Sequence, residues 1–92
     1  MEVSANSAIK AQLSTLPESD QDRVDSMLKT LAQDPQSLAD HLRQVPGDNN
    51  LWEVRITSRL RALVRIENNR IEILAIARPD QLDRYRPMDS AS

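Results

Sequence analysis

The 92-residue sequence predicts an α+β fold, an N-terminal αα-hairpin packed on a twisted antiparallel β-meander. Three observations predict it. Apolar residues recur at helical spacing through the first 33 residues. From Leu51 to Ala77 they alternate with a period of two instead. Between the two patterns lies the strongest loop signal of the chain, Pro46-Gly47-Asp48-Asn49-Asn50.

The first helix is expected over about residues 5–16, where Ala5, Ile9, Leu13 and Leu16 share a face and Pro17 ends the pattern. The second is expected over about 19–33. Ser19 suits an N-cap, Asp20 and Asp22 suit the positive end of the helix dipole, and Val24, Met27, Leu28 and Leu31 form one stripe. A third helical turn from Ser37 to Gln44 would bury Leu38 and Leu42. Strands follow at about 51–56, 60–67 and 70–77.

The strand register can be argued from the faces, because directly opposed residues of an antiparallel pair point the same way. Trp52, Val54 and Ile56, then Leu60, Ala62, Val64 and Ile66, then Ile71, Ile73 and Ala75 line the face beneath the helices. Keeping that face uniform sets Ile56 against Leu60 across a three-residue loop, Thr57-Ser58-Arg59. Asn68-Asn69 supplies a two-residue turn, since Asn tolerates positive φ. Glu67 then opposes Arg70, Ile66 opposes Ile71, Arg65 opposes Glu72 and Arg61 opposes Ile76. One domain is expected over residues 1–86, with 87–92 a flexible tail.

Composition narrows the chemistry. There is no Cys and one His, so neither a disulfide framework nor a thiolate or multi-histidine metal site is expected, and no cofactor is implied. One Gly excludes a glycine-rich phosphate loop. No nucleophile–His–acid set can be assembled. His41, in Asp-His-Leu-Arg-Gln, reads as an exposed or capping residue, Trp52 as core, and Asp20, Asp22 and Asp25 as capping and dipole residues rather than metal ligands. No apolar run of membrane-spanning length and no signal-peptide pattern is present, so a cytoplasmic protein without a membrane partner is expected.

Charge is unevenly placed. The net charge is −2, yet residues 51–92 hold eight arginines against six acids, while residues 1–50 hold four basic and eight acidic side chains. A polyanion would approach the second half. The sheet face away from the helices carries Arg55, Arg61 and Arg65 with Glu53 and Glu72. Clustered guanidinium groups match phosphate oxygens in a bidentate way. A solvated face laced by pairs such as Arg65–Glu72 is the alternative.

The order of these elements resembles the RelE/ParE superfamily of bacterial toxins from type II toxin–antitoxin pairs. Leu51-Trp52-Glu53-Val54-Arg55 is similar to the family's first central strand, Leu60-Arg61-Ala62-Leu63-Val64-Arg65-Ile66 to the second and Ile71–Ala77 to the third. Arg78-Pro79-Asp80-Gln81-Leu82-Asp83-Arg84-Tyr85 is similar to its basic, Tyr-containing C-terminal segment. The resemblance covers about residues 5–86 and departs in three places. Only Met1-Glu2-Val3 stands where the family has a first strand, Leu60 replaces an aromatic, and Pro79 lies near a position that several members give to His. The acidic balance departs too, since ribosome-directed members are usually basic.

That resemblance implies a helix-covered sheet whose first strand is short or missing, with the working surface on the other face. RelE-like members cut mRNA in the ribosomal A site with the RNA's own 2′-hydroxyl as nucleophile; ParE-like members poison DNA gyrase. For this chain it implies an antitoxin partner, with the ribosome and its mRNA as target or, alternatively, gyrase. A metal-independent endoribonuclease (an mRNA interferase) would use Arg61 as clamp on the transition-state phosphate, Arg78 beside it, and Tyr85 to stack on a base or move a proton. Arg55, Arg65 and Arg84 would bind RNA. The alternatives are a non-enzymatic gyrase inhibitor and a catalytically degenerate homologue that holds its antitoxin.

Overall fold

A computed structural model describes residues 1–78; the expected tail, Arg84 and Tyr85 lie outside that range. The chain runs β1 (Glu2–Ala5), α1 (Ser7–Ser14), α2 (Glu18–Gln33), a 3-10 segment (Pro35–His41), β2 (Leu42–Gln44), β3 (Leu51–Thr57), β4 (Leu60–Glu67) and β5 (Arg70–Ala77). The five strands form one sheet in the order β1-β5-β4-β3-β2. β1 lies parallel to β5 and every other neighbour is antiparallel.

The helical hairpin forms where the apolar stripes required it. Asn6 caps α1 by accepting the Ile9 N–H at 2.8 Å. Ser19, the expected cap of α2, lies inside the helix: Pro17 occupies the cap position and makes no side-chain bond there. Its carbonyl instead accepts the N–H groups of Asp20 and Gln21, and proline suits this boundary because its φ is preset. The Gln21 amide then donates to the Leu16 carbonyl at 2.8 Å and holds the corner between the helices. Ile9, Val24, Leu28 and Leu31 are buried against the sheet.

Two edge strands complete the meander. The first strand is short but present, pairing Val3 with Ile71 and Ala5 with Ile73. The third helix is not what forms at 37–44: a 3-10 segment buries Leu38, and then Leu42–Gln44 adds to the sheet beside β3. The segment is two short 3-10 turns joined at a kink at Leu38 (φ −105°, ψ 17°), short pieces of the kind that suit the tighter helix, and Leu42 and Gln44 find strand partners in Val54 and Trp52.

Two bulges correct the expected register. Along β3 and β4 the pairs Trp52–Val64, Val54–Ala62 and Arg55–Arg61 stand as the face argument requires. The connection, however, is a two-residue turn, Ser58-Arg59, with Thr57 opposite Leu60 and Ile56 extra. Neither turn residue has positive φ, so the turn does not follow the strand twist, and a bulge absorbs the mismatch while Ile56 stays buried. Thr57 Oγ1 accepts the Arg59 N–H at 3.1 Å and fixes the corner. At the second turn Asn68 and Asn69 adopt φ of 53° and 59°, and Glu67–Arg70, Ile66–Ile71 and Arg65–Glu72 pair as expected.

Beyond Val64–Ile73 the register slips: Leu63 opposes Ala75, Ala62 opposes Ile76, and Arg61 opposes Ala77 rather than Ile76. Leu74 is the extra residue. Ala75, expected beneath the helices, therefore joins Val45, Leu51 and Leu63 in a second apolar cluster, and Ile76 enters the main core in its place. Trp52 is half-buried against that main core. Among the described residues no helix is long and apolar enough to cross a membrane.

Leu31 is fully buried at the centre of the helix–sheet contact. Leu31→Ala should lower the unfolding free energy by about 3–4 kcal/mol, read as a lower urea midpoint at unchanged slope.

Candidate functional site

The sheet face away from the helices is not uniformly solvated. At its β2–β3–β4 end, Arg43, Glu53, Arg55 and Arg61 come together by register: Arg43 opposes Glu53, and Arg55 opposes Arg61. Glu53 is only 2% exposed. A carboxylate so placed needs a cation, and Arg61 supplies it with an Nη1–Oε1 contact of 2.7 Å. The Arg61 side chain remains 26% exposed.

Two adjoining clefts open beside this pair. One, of about 180 Å³, is lined by Asp40, His41, Arg43, Glu53, Arg55 and Arg61. The other, of about 320 Å³, is lined by Arg23 from α2 with His41, Arg55, Thr57, Ser58 and Arg61. His41, Arg55 and Arg61 belong to both. Four arginines and one imidazole thus face two carboxylates, a local cationic excess in an acidic chain. Arg55 is exposed and makes no ion pair among the described residues.

A further feature marks the same place. Among the described residues, the buried side-chain polar atoms without a hydrogen-bond partner are His41 Nδ1 and Arg61 Nε. Leaving such an atom unmatched costs about 1–3 kcal/mol, and unmatched buried groups are uncommon in folded proteins. Both lie in residues that line the clefts.

Of the residues expected from sequence, Arg55 and Arg61 meet here and two others lie elsewhere. Arg65 sits near the Asn68-Asn69 turn in a separate recess with Arg70, its guanidinium 3.8 Å from Glu67 and 4.0 Å from Glu72. Arg78 lines a neighbouring cleft of about 470 Å³ with Asp20, Arg59 and Leu60, which shares Thr57 and Ser58 with the larger of the two Arg55–Arg61 clefts. Arg84 and Tyr85 fall outside the described residues. Sequence reasoning missed His41, Arg23 and Arg43. Arg43 had a readable signal, since a strand at 42–44 places it with Glu53; Arg23 and His41 arrive through packing between elements distant in sequence.

No protein-family model and no curated protein matches the sequence. Solved structures do match the fold. A YoeB/ParE toxin from Agrobacterium tumefaciens superposes with a TM-score of 0.71 at 14% identity, over 85% of this chain and 98% of that one. The chain has the RelE/ParE fold. The RelE of an archaeal RelE–RelB complex from Pyrococcus horikoshii gives 0.68 at 18% identity over 84% and 92%. The isolated E. coli RelE toxin gives 0.68 at 7% over 91% and 97%. At these identities the RelE/ParE likeness is one of architecture, and the clefts have to be argued from this chain's own residues.

Glu53→Ala should therefore cost about 3 kcal/mol in urea unfolding, because it removes one partner of a largely desolvated pair. A double-mutant cycle with Arg61→Ala should return a coupling of about 1–3 kcal/mol. Additive single losses would mean that the pair contributes nothing specific.

Proposed function

We propose that this chain is the toxin of a bacterial toxin–antitoxin pair and that it cuts ribosome-bound mRNA in the cytoplasm without a metal. The observation that carries the reading is the meeting of Arg43, Arg55, Arg61 and His41 on the helix-free face of a RelE/ParE fold. Cleavage by the RNA's own 2′-hydroxyl needs no protein nucleophile. The O2′–phosphorus bond forms as the 2′-hydroxyl gives up its proton, the bond to the 5′-oxygen breaks as that oxygen takes up a proton, and negative charge builds on the phosphoryl oxygens between.

Each residue has a task in that step. Arg55 and Arg61 clamp the phosphoryl oxygens, and Arg23 and Arg43 hold the strand on either side. Arg78, in the adjoining cleft, would contact the same strand further along, with Arg84 and Tyr85 following it in the chain and Tyr85 stacking on a base or moving the proton. Arg65, paired with acids at the far end of the sheet, would add RNA attraction from a distance. An antitoxin segment that covers the clefts would silence the toxin, as expected of a chain shaped like the RelE and YoeB toxins solved with RelB and YefM partners.

A second reading has its own observation. Arg61 is already engaged by Glu53, which favours a binding surface without catalysis, either a gyrase inhibitor or a homologue that holds its antitoxin.

Purified protein mixed with stalled ribosomes should cut mRNA in the A-site codon. Arg55→Ala, which leaves the Arg61–Glu53 pair intact, should slow cutting by about 10²-fold, the effect of losing one transition-state donor. Arg61→Ala should do the same or more, with some loss of stability. Active ribosomes and uncut mRNA would sink the nuclease reading, and inhibition of gyrase supercoiling would then support the second.

A further inference from the structure

His41 ends the 3-10 segment, where β2 begins, and is a lining residue of both clefts together with Arg55 and Arg61. Its Nδ1 is closed to solvent and has no partner among the described residues. Nε2 is therefore the ring nitrogen left to meet a ligand. A neutral imidazole carries one proton, and the surroundings decide which nitrogen holds it. A buried N–H without an acceptor is worse tolerated than a buried acceptor without a donor. At Nδ1 a proton would have no acceptor, so it belongs on Nε2, facing the cleft.

We propose that His41 is a phosphate-contacting catalytic residue that acts as a hydrogen-bond donor: its Nε2–H joins the Arg55 and Arg61 guanidinium groups on one phosphoryl group of single-stranded RNA. This rests on the proposed cleavage and adds to it a third donor and its tautomer. The role differs from that of a general base. A base working through Nε2 would need its proton on Nδ1, normally held there by a carboxylate or carbonyl acceptor, and no such acceptor is present among the described residues. As a donor, His41 transfers no proton during the step. It strengthens its bond as charge grows on the phosphoryl oxygen, which is how a preplaced donor lowers a barrier.

His41 is the sole histidine of the chain, so its ring nitrogens need no assignment among others. Long-range proton–nitrogen NMR of labelled full-length protein, at about pH 8 where an ordinary imidazole is neutral, reads the tautomer directly. The Nε2–H form is expected, and addition of a short RNA carrying a 2′-deoxy substitution at the cleavage position should shift the Nε2 signal. An Nδ1–H tautomer, or a spectrum unmoved by RNA that binds, overturns the proposal. Cleavage on ribosomes supplies the second arm. His41→Leu should lose about 10²-fold or more, while His41→Gln, which keeps an amide N–H near the same place, should recover most of that loss. Equal rates in all three proteins would leave the nuclease reading intact and remove His41 from it. A glutamine variant as slow as the leucine one would mean that the ring moves a proton, and the donor role falls. Uncut mRNA together with an RNA-shifted Nε2 signal would keep the phosphate contact and defeat the cleavage reading alone.

Discussion

One strand, β4, has to serve two apolar layers at once, and its neighbours must stay in phase with it. Ala62 and Val64 face the helices, while Leu63 on the other side anchors the second cluster with Val45, Leu51 and Ala75. A strand whose side chains alternate strictly has no freedom to slip by one residue without turning both layers inside out. The correction therefore falls on the partners, as an extra residue in β3 at Ile56 and in β5 at Leu74. The second bulge bears on the site. It brings Ala77 instead of Ile76 opposite Arg61, so a methyl rather than a branched side chain stands beside the guanidinium that reaches across to Glu53.

The cationic clefts coexist with an acidic chain because the two charges act over different distances. Four arginines and two carboxylates line the pair of clefts, against a whole-chain net charge of −2. At physiological salt, screening limits exposed charges to about 8 Å, so an approaching phosphate feels the local excess rather than the total. Much of the remaining acid lies on the helical side, with Glu18, Asp20, Asp22 and Asp25 on α2. A polyanion would thus be drawn to one face and repelled by the other.

What the sequence made legible was local and periodic. The helix stripes, the alternation over β3–β5, the Asn68-Asn69 turn and the Arg65–Glu72 pair each follow from neighbours in the chain or from directly opposed residues. Bulges escaped because no residue type announces them: they arise when a turn such as Ser58-Arg59 has the wrong twist for its strands, or when two layers must be filled from one strand. The edge strands β1 and β2 are four and three residues long, too short for a periodic signal, and exist because a long neighbour offers unpaired backbone groups. From its chain neighbours alone His41 reads as an exposed or capping residue. Its surroundings are Arg23 from α2, Arg55 from β3 and Arg61 from β4, contacts of the kind that sequence spacing does not carry.

The Arg61–Glu53 pair looks at first like an argument against catalysis, since a neutralised arginine is a poor clamp. Guanidinium geometry answers part of that objection. Arginine has five N–H donors in a rigid fork, and the bond to Glu53 is made through one terminal nitrogen, leaving Nε buried without an acceptor. Held by a 2.7 Å bond on one side, the side chain has already lost the rotamer freedom that a mobile surface arginine would lose on meeting a phosphate. Glu53 lowers the attraction for the first phosphate but fixes the direction in which the remaining donors point. The unmatched Nδ1 of His41 has a parallel consequence, because it drives the ring's one proton to the side that a ligand can reach. Both orphaned atoms weaken the unliganded fold slightly. What an anion in the clefts would meet is the rest of each group, the other guanidinium N–H donors of Arg61 and the opposite ring nitrogen of His41, while the two buried atoms fix how those donors are presented.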